Sequence, residues 1–292
     1  MKNDFHDYST ITKKYLLLQQ KIRMKTRFQI LLTAFLLMII MQLNAQNKRL
    51  LLQFIQLTDM QMGMISNNLN CDAENNLFNQ AVCEINKLKP DFVVITGDLV
   101  NNRTDTNQIK AFKKITALIN KRIPIYLIPG NHDVGQKPNN ETLDFYLKHY
   151  KSDKFSFNYK GFKFIGINSS LINSGIEQEN AQLEWLKTQL LGKKPAILFT
   201  HHPFFITDIN EKDKYENIPI SLRLPYMQLF EQKGVKAIFA GHYHKNAIAQ
   251  YNGIEMITTS AVGKPLGKQK SGFRIVTVYK DSISHRYVEM PE

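Results

Sequence analysis

Short apolar runs alternate with amphipathic segments in the first half of the chain. Apolar residues dominate residues 50–58, 91–98 and 123–130, as expected for strands that are buried on both faces. Between these runs, residues 76–88 and 108–121 carry apolar residues at helical spacing. The resulting βαβαβ order predicts a parallel sheet with right-handed crossovers.

The hydrophobic period changes after a further predicted helix at residues 141–150. Residues 154–170 alternate between apolar and polar positions and carry a Lys-Gly pair, which predicts a β-hairpin. The elements predicted beyond it are a helix at 181–190, a strand at 195–200, a polar insertion at 206–218, a helix ending near 233, a strand at 235–240 and a final run of strands and turns. The pattern predicts one domain, over residues 49–292, with two sheets packed between helices.

The N-terminal region has the pattern of a secretory signal peptide. Basic residues precede an apolar run at residues 30–43, and Ala45 offers a cleavage point. The apolar run is shorter than the roughly 20 residues that a membrane span needs. We therefore expect an exported, periplasmic or extracellular protein with no stable membrane span after cleavage. Residues 1–23, ahead of Met24, would be an optional extension, and an uncleaved N-terminal anchor is the alternative.

The charge of the chain favours an anionic substrate. The formal net charge is +13, and residues 1–45 contain seven Lys/Arg and two Asp, so the remainder carries about +8. The lysines are scattered, which favours a solvated surface over a specific nucleic-acid surface. Two cysteines, Cys71 and Cys83, are not expected to bind metal, and whether they pair stays open.

Polar residues of metal-binding type follow the predicted strands. These residues are Asp59, Asp98, Asn131, His201, His242 and His244. Taken singly, each has an ordinary explanation, because Asp often caps a helix and a lone His often belongs to the core. Together they would lie at the carboxyl edge of the sheets, where ligands gather. Burying six such groups without a partner is costly, and metal ions would supply that partner.

The ligand types suit two divalent ions. Asp98 could bridge both metals, while imidazoles and an amide oxygen complete each shell. Such a pair clamps a phosphoryl group and activates a water molecule for attack. His132 would face the leaving-group oxygen as a general acid or charge stabiliser, with Asp133 holding its ring. Asp59 and Gln61 are two residues apart at the end of the first predicted strand, so both should point the same way.

The ordered motifs D-x-Q, GDLVN, GNHD, HHP and GHYH resemble the calcineurin-like metallophosphoesterase superfamily. The resemblance covers nearly the whole chain after residue 49. It implies an α/β fold, an αββα four-layer sandwich of two mixed β-sheets flanked by helices. It also implies a dinuclear centre of Mn, Fe, Zn or Mg between the sheets. The implied ligands are Asp59, Gln61, Asp98 and His244 for metal 1, and Asp98, Asn131, His201 and His242 for metal 2.

One ligand assignment depends on the HHP motif. The superfamily usually has H-x-P there, which selects His201 and leaves His202 as the alternative. A finer resemblance is to the branch that includes the calcineurin-like phosphoesterase domain-containing protein 1, in which the first motif tends to be D-P-Q. Gln61 matches that motif and Met60 departs from it. A glutamine oxygen is a weaker ligand than imidazole, so Gln61 should favour oxygen-preferring ions or contact a water ligand of metal 1.

The resemblance implies a phosphoesterase that acts on phosphomonoesters, either small molecules or phosphoproteins. A phosphodiesterase or nuclease of the same fold, and a non-catalytic binding protein, are the alternatives. Candidate substrate contacts are Arg223, Tyr243 and Lys264, and each of these residues also has an ordinary surface or packing explanation. Oligomeric state stays open.

Overall fold

The protein is described here by a computed structural model that covers residues 5–47 and 50–291. It divides into two units, one containing the N-terminal helix and the other containing both sheets and the remaining helices. The helices are α1 Phe5–Asn47, α2 Asp72–Leu88, α3 Thr106–Thr116, α4 Asn131–Val134, α5 Asn140–Tyr150, α6 Glu177–Gln189 and α7 Ile220–Gln232. A 3₁₀ turn spans Ser169–Leu171.

Eleven strands are present in the described part of the chain. They are β1 Leu50–Leu57, β2 Phe92–Thr96, β3 Ile125–Ile128, β4 Phe155–Tyr159, β5 Phe162–Gly166, β6 Ala196–Phe199, β7 Val235–Ala240, β8 Ala247–Tyr251, β9 Ile254–Thr258, β10 Gly272–Tyr279 and β11 Ile283–Glu289. The predicted hairpin is confirmed as β4 and β5. Lys160 and Gly161 form its turn with φ of 43° and 89°, because a two-residue turn that matches strand twist needs positive φ at both positions.

The strands form two mixed sheets. The first has the order β11-β10-β1-β2-β3, and its β1, β2 and β3 pair in parallel as the βαβαβ pattern predicted. The second has the order β4-β5-β6-β7-β9-β8, with β5, β6, β7 and β9 parallel. The parallel strands of each sheet therefore carry their carboxyl ends to one edge.

Three apolar clusters define the layers of the larger unit. One lies between the first sheet and helices α2, α3 and α5, and a second lies between the other sheet and helices α6 and α7. A third cluster, rich in phenylalanine, fills the space between the two sheets. The αββα sandwich predicted from the sequence is confirmed.

The N-terminal helix α1 includes the whole predicted apolar segment at residues 30–43. None of the helices in the described ranges combines the length and apolar character that crossing a membrane requires. Cleavage after about Ala45 and export stay predictions, and residues 1–4, 48–49 and 292 lie outside the described residues. Cys71 and Cys83 are both free thiols.

Candidate metal centre

The sheet edge brings the predicted ligands into two groups that share one carboxylate. Asp98, His201 and His242 form one group, and Asp59, Asp98 and His244 form the other. Within each group the candidate ligand atoms lie within 4.8 Å of one another, and all five residues are buried. Because Asp98 belongs to both groups, it occupies the position expected of a bridging carboxylate.

The loops that carry the ligands adopt unusual backbone conformations. Five residues have positive φ: Asp59, Gln61, Asp98, His242 and His244, with values between 42° and 66°. Such conformations are costly for residues other than glycine and persist where the surrounding structure fixes them. They also correct one expectation, because β1 ends at Leu57 and its alternation does not extend to Asp59 and Gln61. The side chains converge through these local turns.

Glycines precede three of the ligands for a steric reason. A Cβ atom on Gly97 would collide with the backbone of Gly130. One on Gly130 would collide with the carboxylate of Asp98, and one on Gly241 would collide with Thr58 and Asp59. The backbone of each glycine therefore passes directly against a neighbouring ligand loop. The G-D, G-N and G-H pairs of the motifs reflect this close approach.

Backbone carbonyls fix the ring orientation of all three ligand histidines. His201 Nδ1 lies 2.8 Å from the carbonyl oxygen of Thr96, and His244 Nδ1 lies 2.6 Å from that of Lys264. His242 Nε2 lies 3.2 Å from the carbonyl oxygen of Tyr215. A carbonyl only accepts hydrogen bonds, so these ring nitrogens donate and the other nitrogen of each ring is the one that a metal ion can take in place of a proton. This is the usual orientation of metal-binding histidines.

The other ring nitrogens of two of these histidines face carboxylate and amide oxygens. His201 Nε2 lies 3.1 Å from Oδ1 of Asn131 and 3.3 Å from Oδ2 of Asp98. His244 Nε2 similarly lies 3.3 Å from Oδ1 of Asp59. Burial lowers the pKa of His201, but Asp98 outweighs burial and raises it to about 9, and Asp59 likewise raises the pKa of His244, so protons occupy these positions when no metal ion is bound. Nitrogen and oxygen ligand atoms that converge in a buried space also fit divalent metal ions, which would replace those protons.

Gln61 supplies an independent observation of the same kind. Its side chain is 1% exposed, and its Nε2 donates to Oδ1 of Asn101 at 3.1 Å. Its Oε1 is buried and has no hydrogen-bond partner among the described residues. An unpartnered buried oxygen is costly. A metal ion, or a water ligand of one, would satisfy the Oε1 atom, so the residues present fit the metals that the family motifs imply.

The electrostatics of the cluster favour cation binding. Burial raises the pKa of Asp98, but the neighbouring histidines, His201 most strongly, together outweigh burial, so the pKa lies below its usual value. Burial likewise raises the pKa of Asp59, and His244 reverses the shift. Both carboxylates are therefore negative at neutral pH. Burial and the charge of the neighbouring His201 together lower the pKa of His242 to about 4, which keeps this ring a neutral ligand.

His132 lies at the rim of the cluster, where it is partly exposed. Its amide nitrogen donates to Oδ1 of Asp98 at 2.8 Å, and its ring Nδ1 lies 2.9 Å from the carbonyl oxygen of Asn101.

The expectation that Asp133 holds the ring of His132 is wrong. Asp133 instead accepts the amide hydrogens of Leu99 and Gly130, at 3.0 and 2.8 Å. Burial, with the charge of Asp98, raises its pKa to about 7. Asp133 therefore holds together the loops that carry Asp98 and Asn131.

The position of Arg223 does not agree with its predicted contact to phosphate. Its guanidinium is buried and donates to the backbone carbonyl oxygens of Ile218, Ile209 and Glu211 at 2.8–3.0 Å. These contacts use the side chain to hold the insertion at residues 206–218. The structure therefore gives Arg223 a structural role in place of the predicted phosphate contact.

The other two predicted substrate contacts remain predictions. Tyr243 is half-buried, with Lys245 Nζ 5.1 Å from its ring centroid. Lys264 reaches the cluster through its carbonyl oxygen, which accepts from His244, while its side chain is exposed.

Tyr215 contacts the cluster, although the sequence pattern did not predict it as a site residue. It lies in the insertion that Arg223 holds, and its hydroxyl accepts from Nδ2 of Asn131 at 3.1 Å. Its ring centroid is 4.9 Å from that of His242, and its carbonyl oxygen receives the ring proton of the same histidine. An aromatic residue within a polar insertion was the only signal available, and that signal does not specify contact with a metal ligand.

The same residues fall within a known family. Residues 52–246 match the family model described as calcineurin-like phosphoesterase, which is more than half of the chain. The chain belongs to this family. It is therefore a metal-dependent phosphoric ester hydrolase.

Several curated proteins are similar to the chain over most of its length. It is 35% identical to the serine/threonine-protein phosphatase CPPED1 of Rattus norvegicus over 262 residues, which is 82% of this chain and 84% of that protein. The predicted branch is thereby confirmed. It is also 31% identical over 203 residues to a probable glycerophosphodiester phosphodiesterase GpdQ of Arcobacter nitrofigilis, covering 65% of this chain and 70% of that protein.

Solved structures share the fold. A dimetal phosphatase from Danio rerio superposes with a TM-score of 0.61 at 15% identity, covering 82% of this chain and 98% of that one. The purple acid phosphatase PPD1 from yellow lupin gives a TM-score of 0.59 at 15% identity, covering 81% of this chain and 51% of that one. At these identities the likeness supports the sandwich architecture alone.

Proposed function

We propose that the protein hydrolyses phosphomonoesters, carried on proteins or small molecules, with two divalent metal ions. The observation that carries this proposal is the pair of ligand groups sharing Asp98. Metal 1 would be held by Asp59, Gln61, Asp98 and His244, and metal 2 by Asp98, Asn131, His201 and His242. Such a pair supplies charge stabilisation for the phosphoryl group and a nucleophile at neutral pH.

Three further residues near the ligand groups have separate roles in this proposal. The ring of His132 is oriented by the carbonyl oxygen of Asn101 and is partly exposed at the rim of the cluster, so it can meet a leaving-group oxygen. Asp133 fixes the loops on either side by accepting the amide hydrogens of Leu99 and Gly130. The ring of Tyr215 packs against His242, and its side chain is uncharged. The monoester preference is supported by similarity to proteins named as serine/threonine-protein phosphatases.

Phosphodiester hydrolysis is the second candidate, supported by similarity to a protein named as a glycerophosphodiester phosphodiesterase. The two functions are separated by parallel assays of an aryl phosphate and a bis-aryl phosphate with Mn²⁺ added. We expect a higher kcat/KM for the monoester. Faster cleavage of the diester would reverse the order of the two proposals.

We also propose that the protein is exported. The support is the basic and apolar segment ahead of Ala45. N-terminal sequencing of the protein from its native host, after fractionation, tests this. A start near residue 46 in the exported fraction is expected, and an intact N-terminus in the cytosol would contradict export.

A further inference from the structure

Four amide side chains form a continuous series of hydrogen bonds that ends at Gln61. Gln61 Nε2 donates to Oδ1 of Asn101, and Nδ2 of Asn101 donates to Oδ1 of Asn68 at 2.7 Å. Nε2 of Gln108 donates to the same Asn68 oxygen at 2.9 Å. Gln61 and Asn68 lie in the loop after β1, Asn101 in the loop after β2 and Gln108 in the first turn of α3. We call these four side chains the amide network.

The backbone fixes the direction of the amide network at Gln108. The amide nitrogens of Asn102 and Asn101 donate to Gln108 Oε1 at 2.8 and 3.1 Å. A backbone N–H group can only donate, so the atom that faces it must be the oxygen and the other must be the nitrogen. Gln108 is 2% exposed, and a Cβ atom on Gly63 would collide with its Nε2. The Gln108 amide is therefore held in one orientation, in a space that a side chain at residue 63 would fill.

Each amide then sets the orientation of the next one. Gln108 Nε2 requires an acceptor, so Asn68 presents its oxygen. Asn101 must present its nitrogen to that oxygen, because two oxygen atoms 2.7 Å apart would repel. The Asn101 oxygen is left for Gln61, which presents its nitrogen in turn. Gln61 Oε1, buried and without a partner in the described chain, is consequently the atom that remains for a cation.

We propose that Gln108 and Asn68 are positioning residues for metal 1. Through Asn101 they keep the oxygen of Gln61, and not its nitrogen, available to the metal or to its water ligand. An amide nitrogen offers hydrogens and no lone pair, so a reversed amide network would remove this contact. The inference rests on the proposed function, because metal 1 belongs to that proposal.

Two substitutions that add the same charge test the direction of the amide network. In Gln108→Glu, the carboxylate still accepts from the two backbone amides but has no hydrogen to give to Asn68. Asn68, Asn101 and Gln61 should then all turn, because each amide follows its neighbour. In Asn68→Asp, the carboxylate accepts from Gln108 and Asn101 as the asparagine oxygen does. The amide network should therefore keep its direction in this conservative variant.

Calorimetric titration of Mn²⁺ into the metal-free proteins measures the consequence. We expect Gln108→Glu to lower the affinity of one Mn²⁺ site roughly tenfold, as is typical of residues that support metal ligands. Asn68→Asp should retain at least the wild-type affinity. A new negative charge by itself attracts cations, so a loss confined to Gln108→Glu cannot come from charge. Equal Mn²⁺ affinities in the two variants would overturn the inference.

A substitution at an exposed position keeps the test decisive if Gln108→Glu does not fold. Asn68 is exposed and has a φ of 69°, which glycine adopts without strain, so Asn68→Gly should fold. The interrupted network leaves the Gln61 amide free to take either orientation, which should lower Mn²⁺ affinity at least about twofold. Asn67→Gly is the control, because Asn67 is exposed, has a φ of 54° and lies outside the amide network. Equal affinities of the two glycine variants would contradict the role of Asn68.

The wild-type protein separates this inference from the proposed function. A wild-type protein that neither bound Mn²⁺ nor hydrolysed an aryl phosphate would overturn the proposed function. Normal Mn²⁺ binding and hydrolysis in the wild type, with no difference between the paired variants, would overturn the role of the amide network alone.

Discussion

The space between the two sheets has an aromatic end and a ligand end, and the same strands build both. Along β1, the residues facing the second sheet change from Leu52 and Phe54 to Gln56, and buried Thr58 follows just after the strand ends. Along β2, Phe92 and Val94 lead to Thr96 in the same way. The interior therefore changes from apolar to polar within one strand length. The ligands lie just beyond the polar residues.

The aromatic end is satisfied by packing alone. The ring of Phe54 stacks on Phe92 with centroids 5.0 Å apart and meets the edges of Phe164, Phe199 and Phe239 at 5.5–6.0 Å. All five rings are almost completely buried. Burial and edge-to-face geometry both stabilise such a cluster. This end holds the two sheets at a fixed separation.

The ligand end has the opposite energetic character. It buries carboxylates, imidazoles and an unpartnered amide oxygen, and it places five residues at positive φ. Each of these features costs free energy in the absence of a bound cation. The aromatic end therefore stabilises the scaffold on which the ligand end is held. Function and stability should therefore respond to different substitutions.

The largest effect is expected at the ligand end, from Asp98→Ala. This change removes the carboxylate that both ligand groups share. We expect loss of bound metal and a fall in kcat/KM of at least about 10³-fold, which is about 4 kcal/mol. Metal analysis and phosphatase assays measure both. Asp144→Ala, an exposed carboxylate on α5, is the control. Undiminished turnover in Asp98→Ala would remove the proposed dinuclear centre.

Phe54→Ala should break the aromatic end instead. Removing a fully buried ring from the centre of this cluster should lower the free energy of unfolding by about 3–5 kcal/mol. Urea unfolding followed by circular dichroism measures the loss. Activity per folded molecule should be retained at low temperature. Ile248→Ala, an exposed apolar residue in β8, should change stability little. A variant that kept its stability but lost metal would show that the two ends are not separable.

Gln56→Leu tests the polar layer between the two ends. Its Nε2 donates to Thr96 Oγ1 and the Ala240 carbonyl oxygen, and its Oε1 accepts from Thr259. Leucine would leave these buried groups unpaired, so we expect a loss of about 1–3 kcal/mol in the free energy of unfolding.

Gln250→Leu, at an exposed position in β8, is the matched control for that substitution. Equal stability of the two leucine variants would mean that the polar layer adds nothing to the fold.

The smallest effect is expected from Gln61→His. Imidazole is a stronger ligand than an amide oxygen, so metal affinity should rise roughly tenfold, within the range seen for residues around metal sites. Hydrolysis should persist. Calorimetric titration of metal into the metal-free protein gives the affinity. Unchanged affinity would indicate that Gln61 contacts a water ligand and does not bind the metal directly.

Local features of the sequence were enough to predict the fold class and most of the candidate ligands. Apolar runs separated by helical periods are enough to predict parallel strands, and a polar residue after each strand marks the shared edge. The repetition of this pattern selected Asp59, Asp98 and the three histidines, because side-chain type and strand position are both local properties of the chain.

The way in which those residues meet depends on tertiary contacts. The ligand loops converge through positive-φ turns that no strand periodicity describes. Asp133 and Arg223 serve as supports because distant backbone groups occupy their hydrogen-bonding atoms. The contact of Tyr215 with His242 depends on where an insertion folds. Hydrogen-bond partners far apart in sequence set these roles, so the linear pattern of the chain could not reveal them.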